Sequence, residues 1–435
     1  MRDRRRLCDR LILVVLCVCA ILLPVLLVPW GWDAWRFPKV LVLRAVAILL
    51  LMMSGLVAVW SSSRRYDIRR FRSDPLSMAG AGIILWVSVA TVTSPQPSVS
   101  LWALTDVVAG LTIFYSARRH AFRTGRRTIL YALLLPACIN GVVVALQYFD
   151  LWHPLVGSAE ALHTLSREDA GLLRQAALLG NRDDVGMYLM FPCLVSIYLA
   201  MFNGKRGLLI GGICGPFLAI SVALTSTITA IAATAIGIWV LTAGVLVLKA
   251  APKALRVAVL VLLPITATYV ASLDHGVSKR VSIYLGRFER GDLEGAIGNR
   301  LLSYASALSM TAQKPLVGVG PGRFAIEQVA VATQVRKEHP HLFSRTTALW
   351  FDMVHNDVLE IMAEGGVPLA VLCVVFVLLY LSRGGMITPE YILAGALAAG
   401  FVTSSMLLFP LQIAAVYGTL ALGAGVARGL HERQN

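Results

Sequence analysis

Charged residues are scarce in this chain: they make up 14% of its 435 residues, whereas a soluble domain carries roughly 25%. Hydrophobic residues reach 57%, so the composition excludes an ordinary soluble globular protein. Cysteine is also rare, with 7 residues, and none lies in the two long outer connections described below. This excludes a disulfide framework or a cysteine metal site in those connections.

Long apolar runs take the place of the missing charge. A helix of about 20 apolar residues crosses a bilayer, and by that rule the sequence predicts about twelve spans. The first follows an arginine cluster but is too long for a signal peptide and lacks an A-x-A cleavage site, so we expect a retained helix. The spans are 11–29, 39–60, 76–93, 98–116, 128–149, 183–202, 207–224, 226–248, 254–272, 358–381, 389–409 and 411–427.

The net charge of +15 follows this topology and does not indicate a nucleic-acid-binding surface. If the N-terminus is cytoplasmic and the spans alternate, most basic clusters fall on one side. The positive-inside rule then predicts both termini in the cytoplasm. These clusters are Arg64, Arg65, Arg69, Arg70 and Arg72; Arg118, Arg119, Arg123, Arg126 and Arg127; Lys205 and Arg206; Lys249, Lys253 and Arg256; Arg383; and Arg428 and Arg433.

Two outer segments, 150–182 and 273–357, are longer than simple connections. The expected fold is therefore an all-α polytopic membrane protein with a helical periplasmic domain in one long loop. Residues 1–272 hold nine spans, 273–357 form the loop domain, and 358–435 hold three spans and a cytoplasmic C-terminus. Inside the loop, 299–313 has a helical apolar stripe ending at Lys314-Pro315, and 345–364 predicts one helix, or two meeting near His355.

Several polar residues at the outer ends of spans are candidates for chemistry. Arg182 stands at a membrane boundary beside Asp183 and Asp184, which predicts a local ion pair or, alternatively, a divalent-metal site. Asp357 fits a helix N-cap with Glu360 at the capping-box position.

That capping arrangement leaves His355 and Asn356 unexplained. "GVGPGRF" (318–324) lacks the lysine and serine of a P-loop and predicts a tight turn. "EHPH" (338–341) could bind a metal, but short pairs of histidine around proline are common by chance, and chance is the better explanation.

Three of these motifs occur in order: "GNRD" (180–183) before a span, Arg300 upstream of "KPLVGVGPGRF" (314–324), and "HND" (355–357) followed by "EGG" (364–366). Together they resemble the bacterial O-antigen ligase and polymerase superfamily. Its typical pattern is G-N-x-N, an arginine upstream of P-L-x-G-x-G, and H-N leading to E-x-G. The resemblance covers about 175–370. The sequence departs from it at Asp183, where the second Asn usually falls.

Within the superfamily, one dominant outer loop and a chain ending just after the last span are similar to O-antigen ligases. This implies a glycosyltransferase of the bacterial inner membrane that moves O-antigen from undecaprenyl diphosphate to the lipid A-core oligosaccharide at the periplasmic face, with the lipid bilayer as its surroundings. An O-antigen polymerase stays open because its R-x10-G pattern occurs as Arg280 to Gly291 and Arg287 to Gly298. A protein O-oligosaccharyltransferase is a second alternative within the superfamily. A transporter of lipid-linked anions is the alternative from another class, although no matched inverted halves are evident.

The resemblance implies a role for each candidate residue. Arg300 and Arg182 would meet the charge that develops on the diphosphate, and His355 would be the general base for the acceptor hydroxyl. Neighbouring arginines would keep that imidazole neutral. We expect no metal and no cofactor. The remaining substrate-binding candidates are Asn181, Asn356, Arg323, Arg345 and Lys314.

Overall fold

The computed structural model describes residues 2–28, 33–60, 74–152, 175–249, 275–297, 300–343, 350–382 and 385–434. The predicted span 254–272, most of segment 150–182, and Arg345 lie outside these described residues.

The regular elements of the described part are all helices, and the prediction of an all-α polytopic membrane protein is confirmed. The helices are α1 (Arg2–Val25), α2 (Phe37–Trp60), α3 (Pro75–Val92), α4 (Pro97–Thr124), α5 (Thr128–Ala132), α6 (Leu134–Tyr148), α7 (Arg182–Phe202), α8 (Gly204–Leu224), α9 (Ile228–Leu248), α10 (His275–Glu289), α11 (Leu293–Ile297), α12 (Arg300–Gln313), α13 (Phe324–Glu338), α14 (Asp357–Tyr380), α15 (Pro389–Ser405) and α16 (Ala414–Gln434), with a short 3-10 turn at Pro410–Gln412.

Nine candidate spans in the described part are long and apolar enough to cross a membrane. They correspond to the first eight predicted spans and to 358–381, with α5 and α6 together forming one candidate. The last two predicted spans are helical as α15 and α16. However, α15 has only 17 residues, and residues 406–413 form a turn rather than continuing the helices.

Helix α7 is the most buried of the candidate spans: 78% of the residues in its most apolar stretch of 18 residues are buried inside the protein. Glycines let its neighbour approach closely: a Cβ at Gly207 of α8 would lie 2.2 Å from the Leu199 carbonyl oxygen. Small residues at helix interfaces commonly permit such backbone contact in membranes. The well-packed α7 therefore gives the residues at its first turn a rigid support.

Asp106 is the charge that the predicted span 98–116 has to accommodate. It pairs with Arg44 of α2, Nε to Oδ1 2.8 Å, and the Arg44 guanidinium lies 3.7 Å from the ring centroid of Trp102. An intramembrane charge is tolerated when it is paired in this way. The ion pair joins α2 to α4.

The helix ends define two faces of the bundle. We call the "site end" the end at which α2, α4, α7, α9, α14 and α16 begin and α1, α3, α6, α8 and α15 finish. At the opposite end, Arg118 links α4 to Asp74 and to Glu432 of α16, at 2.6 and 2.7 Å. The predicted basic residues of one side thus anchor the far end of the bundle.

The loop domain rests on the site end. Helix α12 confirms the predicted helix at 299–313, whereas α13 was not predicted. Leu302 of α12 packs against Ala332 and Val335 of α13, and Met310 lies with Val354 and Ala363 in a second cluster at the start of α14. The predicted helix at 345–364 is wrong for residues 350–356, which are irregular, and α14 begins at Asp357.

Candidate functional site

The first turn of α7 carries the "GNRD" motif. Asn181 is the N-cap, and its Oδ1 accepts a hydrogen bond from the Asp183 backbone N–H at 2.9 Å. The Asp183 carboxylate accepts from the Thr227 hydroxyl at 2.9 Å, at the start of α9, while Asp184 is fully buried and points elsewhere. The predicted local ion pair is wrong, because neither carboxylate pairs with Arg182 among the described contacts.

Asp184 pairs instead with Arg36, a residue that the sequence did not single out. Arg36 Nη2 lies 3.1 Å from Asp184 Oδ2, and its Nε donates to the same oxygen at 3.2 Å. Its Nη1 is 3.9 Å from Asp352, and its guanidinium carbon is 5.9 Å from the Phe409 ring centroid. One guanidinium therefore touches the start of α7, the segment before His355 and the turn before α16.

A polar turn holds Arg36 in place. Asp33 Oδ1 accepts hydrogen bonds from the backbone N–H groups of Trp35 and Arg36, both at 2.9 Å. The buried Lys39 ammonium donates to the carbonyls of Leu26, Trp35 and Leu178 at 2.6–2.8 Å. The available sequence clue was Arg36 in a short outer connection and Lys39 at the first position of the next predicted span, where the positive-inside rule disfavours basic residues.

His355 occupies a left-handed backbone conformation, with φ 64°. Its ring packs edge to face on Phe409, with centroids 4.9 Å apart, so His355 and Arg36 share that aromatic neighbour. The imidazole Nδ1 lies 3.2 Å from the Met353 carbonyl oxygen. A carbonyl only accepts, so Nδ1 carries the proton and Nε2 keeps its lone pair.

Burial lowers the pKa of His355, and the positive charge of Arg300 lowers it further. The Met353 carbonyl and the carboxylates of Asp352 and Asp183 oppose this shift. The imidazole is consequently neutral near pH 7, as a general base must be. Arg300, at the start of α12, and Asp183, in the first turn of α7, thus both contribute to the electrostatic field at this histidine.

The start of α14 corrects one prediction. The N-cap is Asn356, not Asp357: its Oδ1 accepts from the Leu359 N–H at 3.1 Å, and its Nδ2 donates to the Met406 carbonyl at 2.9 Å. Both ends of the Asn356 amide are thus bonded to protein groups. Asp357, one residue inside the helix, is buried and accepts from the Ser405 hydroxyl at 2.8 Å. Glu360 accepts from the Val354 N–H at 3.2 Å, so it braces the His355 segment rather than completing a capping box.

The glycine turn and the "EGG" motif bind each other. Glu364 accepts hydrogen bonds from the N–H groups of Gly322 and Phe324, at 2.8 and 2.9 Å. Gly366 has φ 76°, and a Cβ there would lie 2.0 Å from the Leu316 carbonyl oxygen, so the turn requires glycine at this kink of α14. The turn's amides are therefore held by Glu364 instead of facing a substrate.

The remaining predicted binding residues are dispersed. Lys314 is exposed just beyond the end of α12, about 21 Å along the helix axis from Arg300. Arg323 is buried and pairs with Glu327, and its Nε and Nη1 have no hydrogen-bond partner among the described residues. His339 and His341 of "EHPH" contact each other edge to face. No group of three or more His, Cys, Asp or Glu residues suited to a metal occurs in the described ranges.

An apolar cavity of about 350 Å³ lies inside the bundle next to these groups. At the site end it is bordered by Glu364, Ile361 and Leu411, and it reaches Tyr380 and Ala424 toward the opposite end. Leu411 donates its backbone N–H to Asp357, two residues after His355, at 3.4 Å. One end of the cavity therefore lies close to the segment that carries the histidine.

Comparison with known proteins gives one result for this region. A family model described as O-Antigen ligase matches residues 194–374. The matched segment contains Arg300, Arg323, His355 and Glu364, while Arg36 and the "GNRD" motif precede it. The search of curated proteins finds no match.

Proposed function

We propose that this chain is a member of the O-antigen ligase/polymerase superfamily and, within it, a ligase that completes lipopolysaccharide. It would transfer O-antigen polysaccharide from undecaprenyl diphosphate to the lipid A-core oligosaccharide at the periplasmic face of the inner membrane. The family implies lipid-linked polysaccharide substrates and a membrane environment. The observation that carries the finer proposal is the setting of His355. Its Nδ1 is hydrogen-bonded to a carbonyl, its Nε2 has no hydrogen-bond partner among the described residues, and burial and Arg300 lower its pKa. Arg36 shares its aromatic neighbour Phe409, and an apolar cavity adjoins α14, which begins two residues after His355.

The reaction is a displacement at the sugar carbon that is bonded to the diphosphate. His355 Nε2 takes the proton of the acceptor hydroxyl as its oxygen bonds to that carbon. The bond from the carbon to the diphosphate oxygen breaks, and its electron pair leaves with undecaprenyl diphosphate. General-base assistance of this kind contributes typically about 10²–10⁴-fold to the rate.

The leaving diphosphate gains negative charge, and arginine meets that charge with fixed, permanently protonated donors. Arg300 and Arg182 begin α12 and α7, and we assign them to the diphosphate. Arg36 is largely committed to Asp184, but its Nη1 faces the half-exposed Asp352 at 3.9 Å. An anionic substrate would replace Asp352 as the partner of that nitrogen. These cations supply charge stabilisation without a metal ion, which is why we propose a metal-independent reaction.

The cavity would hold part of a substrate's hydrocarbon chain. Its lining is mostly apolar, and burial of such a chain contributes roughly 0.8 kcal/mol per methylene. Gly110 of α4 lines the cavity and is a site at which a large side chain would fill it.

The test of function is a covalent product. Purified protein in detergent is incubated with undecaprenyl-diphosphate-linked O-antigen and rough lipopolysaccharide. A ligase yields lipopolysaccharide carrying the polymer. A longer chain on the lipid carrier would indicate the polymerase, a glycosylated protein acceptor would indicate an oligosaccharyltransferase, and unchanged substrates would favour a transporter.

The polymerase alternative rested on R-x10-G patterns. In one of these, Arg287 Nη1 donates to the Gly295 carbonyl at 2.7 Å and so joins α10 to α11. This structural use favours the ligase, since it accounts for Arg287 without a substrate.

The side of the membrane is a separate test. Reporter fusions after residue 340 should be periplasmic, and fusions after 122 or 435 cytoplasmic. Cytoplasmic labelling at 340 would remove the ligase proposal, because the polymer is delivered outside.

A further inference from the structure

His355 holds a backbone conformation that a residue with a side chain rarely adopts. Its φ of 64° lies in the left-handed region, where the Cβ crowds the backbone. Such a conformation persists only when surrounding contacts hold it, and it is common at functional sites. The contacts that hold the chain around His355 are therefore informative.

Two hydroxyl groups of α12 bind this segment. Ser303 Oγ donates to the Val354 carbonyl at 3.0 Å and lies 3.4 Å from the Met353 carbonyl. Tyr304 OH donates to the His355 carbonyl at 3.2 Å. Ser303 is fully buried, and burial raises the pKa of the Tyr304 phenol, so its hydroxyl stays protonated and able to donate.

The same helix begins at Arg300, one turn before these hydroxyls. Residues three and four apart lie on one face of a helix, so Arg300, Ser303 and Tyr304 share the face toward His355. The Met353 carbonyl also accepts the Nδ1 proton of His355, which leaves Nε2 as the basic nitrogen. The orientation and the tautomer of the His355 imidazole therefore depend on the Met353 carbonyl, and the hydroxyls of α12 contact this carbonyl and that of His355.

We propose that Ser303 and Tyr304 are positioning residues that hold the 353–355 backbone and thereby keep His355 Nε2 aimed at the acceptor hydroxyl. This inference rests on the proposed role of His355 as general base. Because Arg300 belongs to the same helix, the donor diphosphate and the base keep a fixed spacing. Neither hydroxyl touches substrate; both act through the histidine.

The kinetic experiment compares Tyr304→Phe and Ser303→Ala with matched controls. Ser306→Ala removes a buried serine hydroxyl of α12 whose hydrogen bond, among the residues that the structure describes, goes to the Leu302 carbonyl of its own helix. Tyr284→Phe removes a hydroxyl from a half-exposed tyrosine of α10. Misplacing a catalytic group by about 1 Å costs up to roughly 100-fold, so we expect kcat to fall roughly 10- to 100-fold in the two test variants. KM for the lipid-linked donor should stay within about twofold, because donor contacts remain, and the controls should match the wild type.

The second measurement needs no turnover. Diethyl pyrocarbonate modifies neutral imidazole, and mass spectrometry of the peptide containing His355 gives its modification rate as a function of pH. In the wild type the midpoint should lie below about 6.5, the ordinary pKa of histidine. Tyr304→Phe frees the His355 carbonyl, so the imidazole should become more hydrated and move away from Arg300. The midpoint of modification should then rise toward about 6.5. Because His355 in unfolded protein would also show a midpoint near about 6.5, the modification rate is measured on the folded fraction isolated by size-exclusion chromatography.

The outcomes separate this inference from the proposed function. Wild-type kcat and an unmoved midpoint in both test variants would overturn the positioning role. If the midpoint moves in the test variants but the wild type itself transfers nothing, the ligase proposal is overturned and the positioning of the imidazole stands. If Tyr304→Phe does not fold, Ser303→Ala decides, since it removes one oxygen atom that binds the same 353–355 backbone segment.

Discussion

The ion pair between Arg36 and Asp184 permits a quantitative test of how the site is built. Replacing Arg36 with Met keeps most of the side-chain volume and removes the charge. Asp184 is 0% exposed and would be left buried without its cation. Breaking a buried pair in this way costs about 3–5 kcal/mol. The Arg36 side chain is 31% exposed, so solvent screening reduces the expected loss to about 2–3 kcal/mol.

This loss corresponds to a shift of roughly 30- to 140-fold in the unfolding equilibrium. Titration with sodium dodecyl sulfate in mixed micelles, followed by tryptophan fluorescence, measures it. Adding Asp184→Asn to Arg36→Met should recover most of the stability, because the uncompensated charge is gone. Arg44→Met is the matched control: its partner Asp106 is 30% exposed, so its loss should be smaller.

Transfer activity should respond differently from stability. The double variant should remain impaired in transfer although it is stable, because the nitrogen that faces Asp352 is missing. A loss below about 1 kcal/mol in Arg36→Met, or no recovery in the double variant, would show that Asp184 is not held by this pair. Full activity in the stable double variant would reduce Arg36 to a structural role.

The remaining predictions concern the reaction itself. The pKa of His355 is lowered, so the neutral imidazole predominates above that pKa. The transfer rate should stay level above pH 7 and decline as pH falls through the lowered pKa. A rate that rises on acidification would contradict a neutral base. His355→Ala should bind the lipid-linked donor with nearly unchanged affinity in a filter assay yet transfer at least about 100-fold more slowly, whereas near-normal transfer would make the histidine structural. Arg300→Lys should still impair transfer severely, since an ammonium cannot reproduce the guanidinium fork, and normal kcat would leave only general electrostatics. Gly110→Phe should fill the cavity and raise KM for the lipid donor. Gly212→Phe, on an open face of α8, should leave that KM unchanged. Equal effects of the two variants would argue against a hydrocarbon chain of the donor in the cavity. Activity should survive a strong chelator, and loss that Mg²⁺ restores would return Asp183 to consideration as a metal ligand.

Local patterns predicted much of the fold. Span positions depend on runs of apolar residues, which the sequence displays directly, and nine candidate spans lie where those runs occur. Helix α13 was missed because its buried stripe, Phe324, Gln328, Ala332 and Val335, contains a glutamine. Gln328 is buried because its Oε1 accepts the Phe351 N–H at 2.9 Å, a partner that periodicity does not reveal.

The site was harder to predict wherever partners are distant in the chain. Arg36 and Asp184 are 148 residues apart, so no local pattern links them, and Arg182 was paired with its neighbours instead. The N-cap was misplaced by one residue because the left-handed turn at His355 is a property of the folded backbone. The motifs around His355 and Arg300 were recognisable because each stands next to a helix boundary that the sequence marks, and Glu364 was recognisable because the two glycines at the kink of α14 follow it.

The kink of α14 at Gly366 also affects the surrounding bilayer. Beyond the kink, α14 continues for residues 367–380, a rise of about 21 Å, and its neighbour α15 has 17 residues, about 26 Å. Both are shorter than a hydrocarbon layer of about 30 Å, and a bilayer adapts to short helices by thinning locally. We expect the lipid headgroups beside α14 and α15 to lie closer to the bilayer midplane than elsewhere around the protein. A saccharide on a lipid carrier would then arrive at the depth of Phe409 and His355 without being lifted from the membrane.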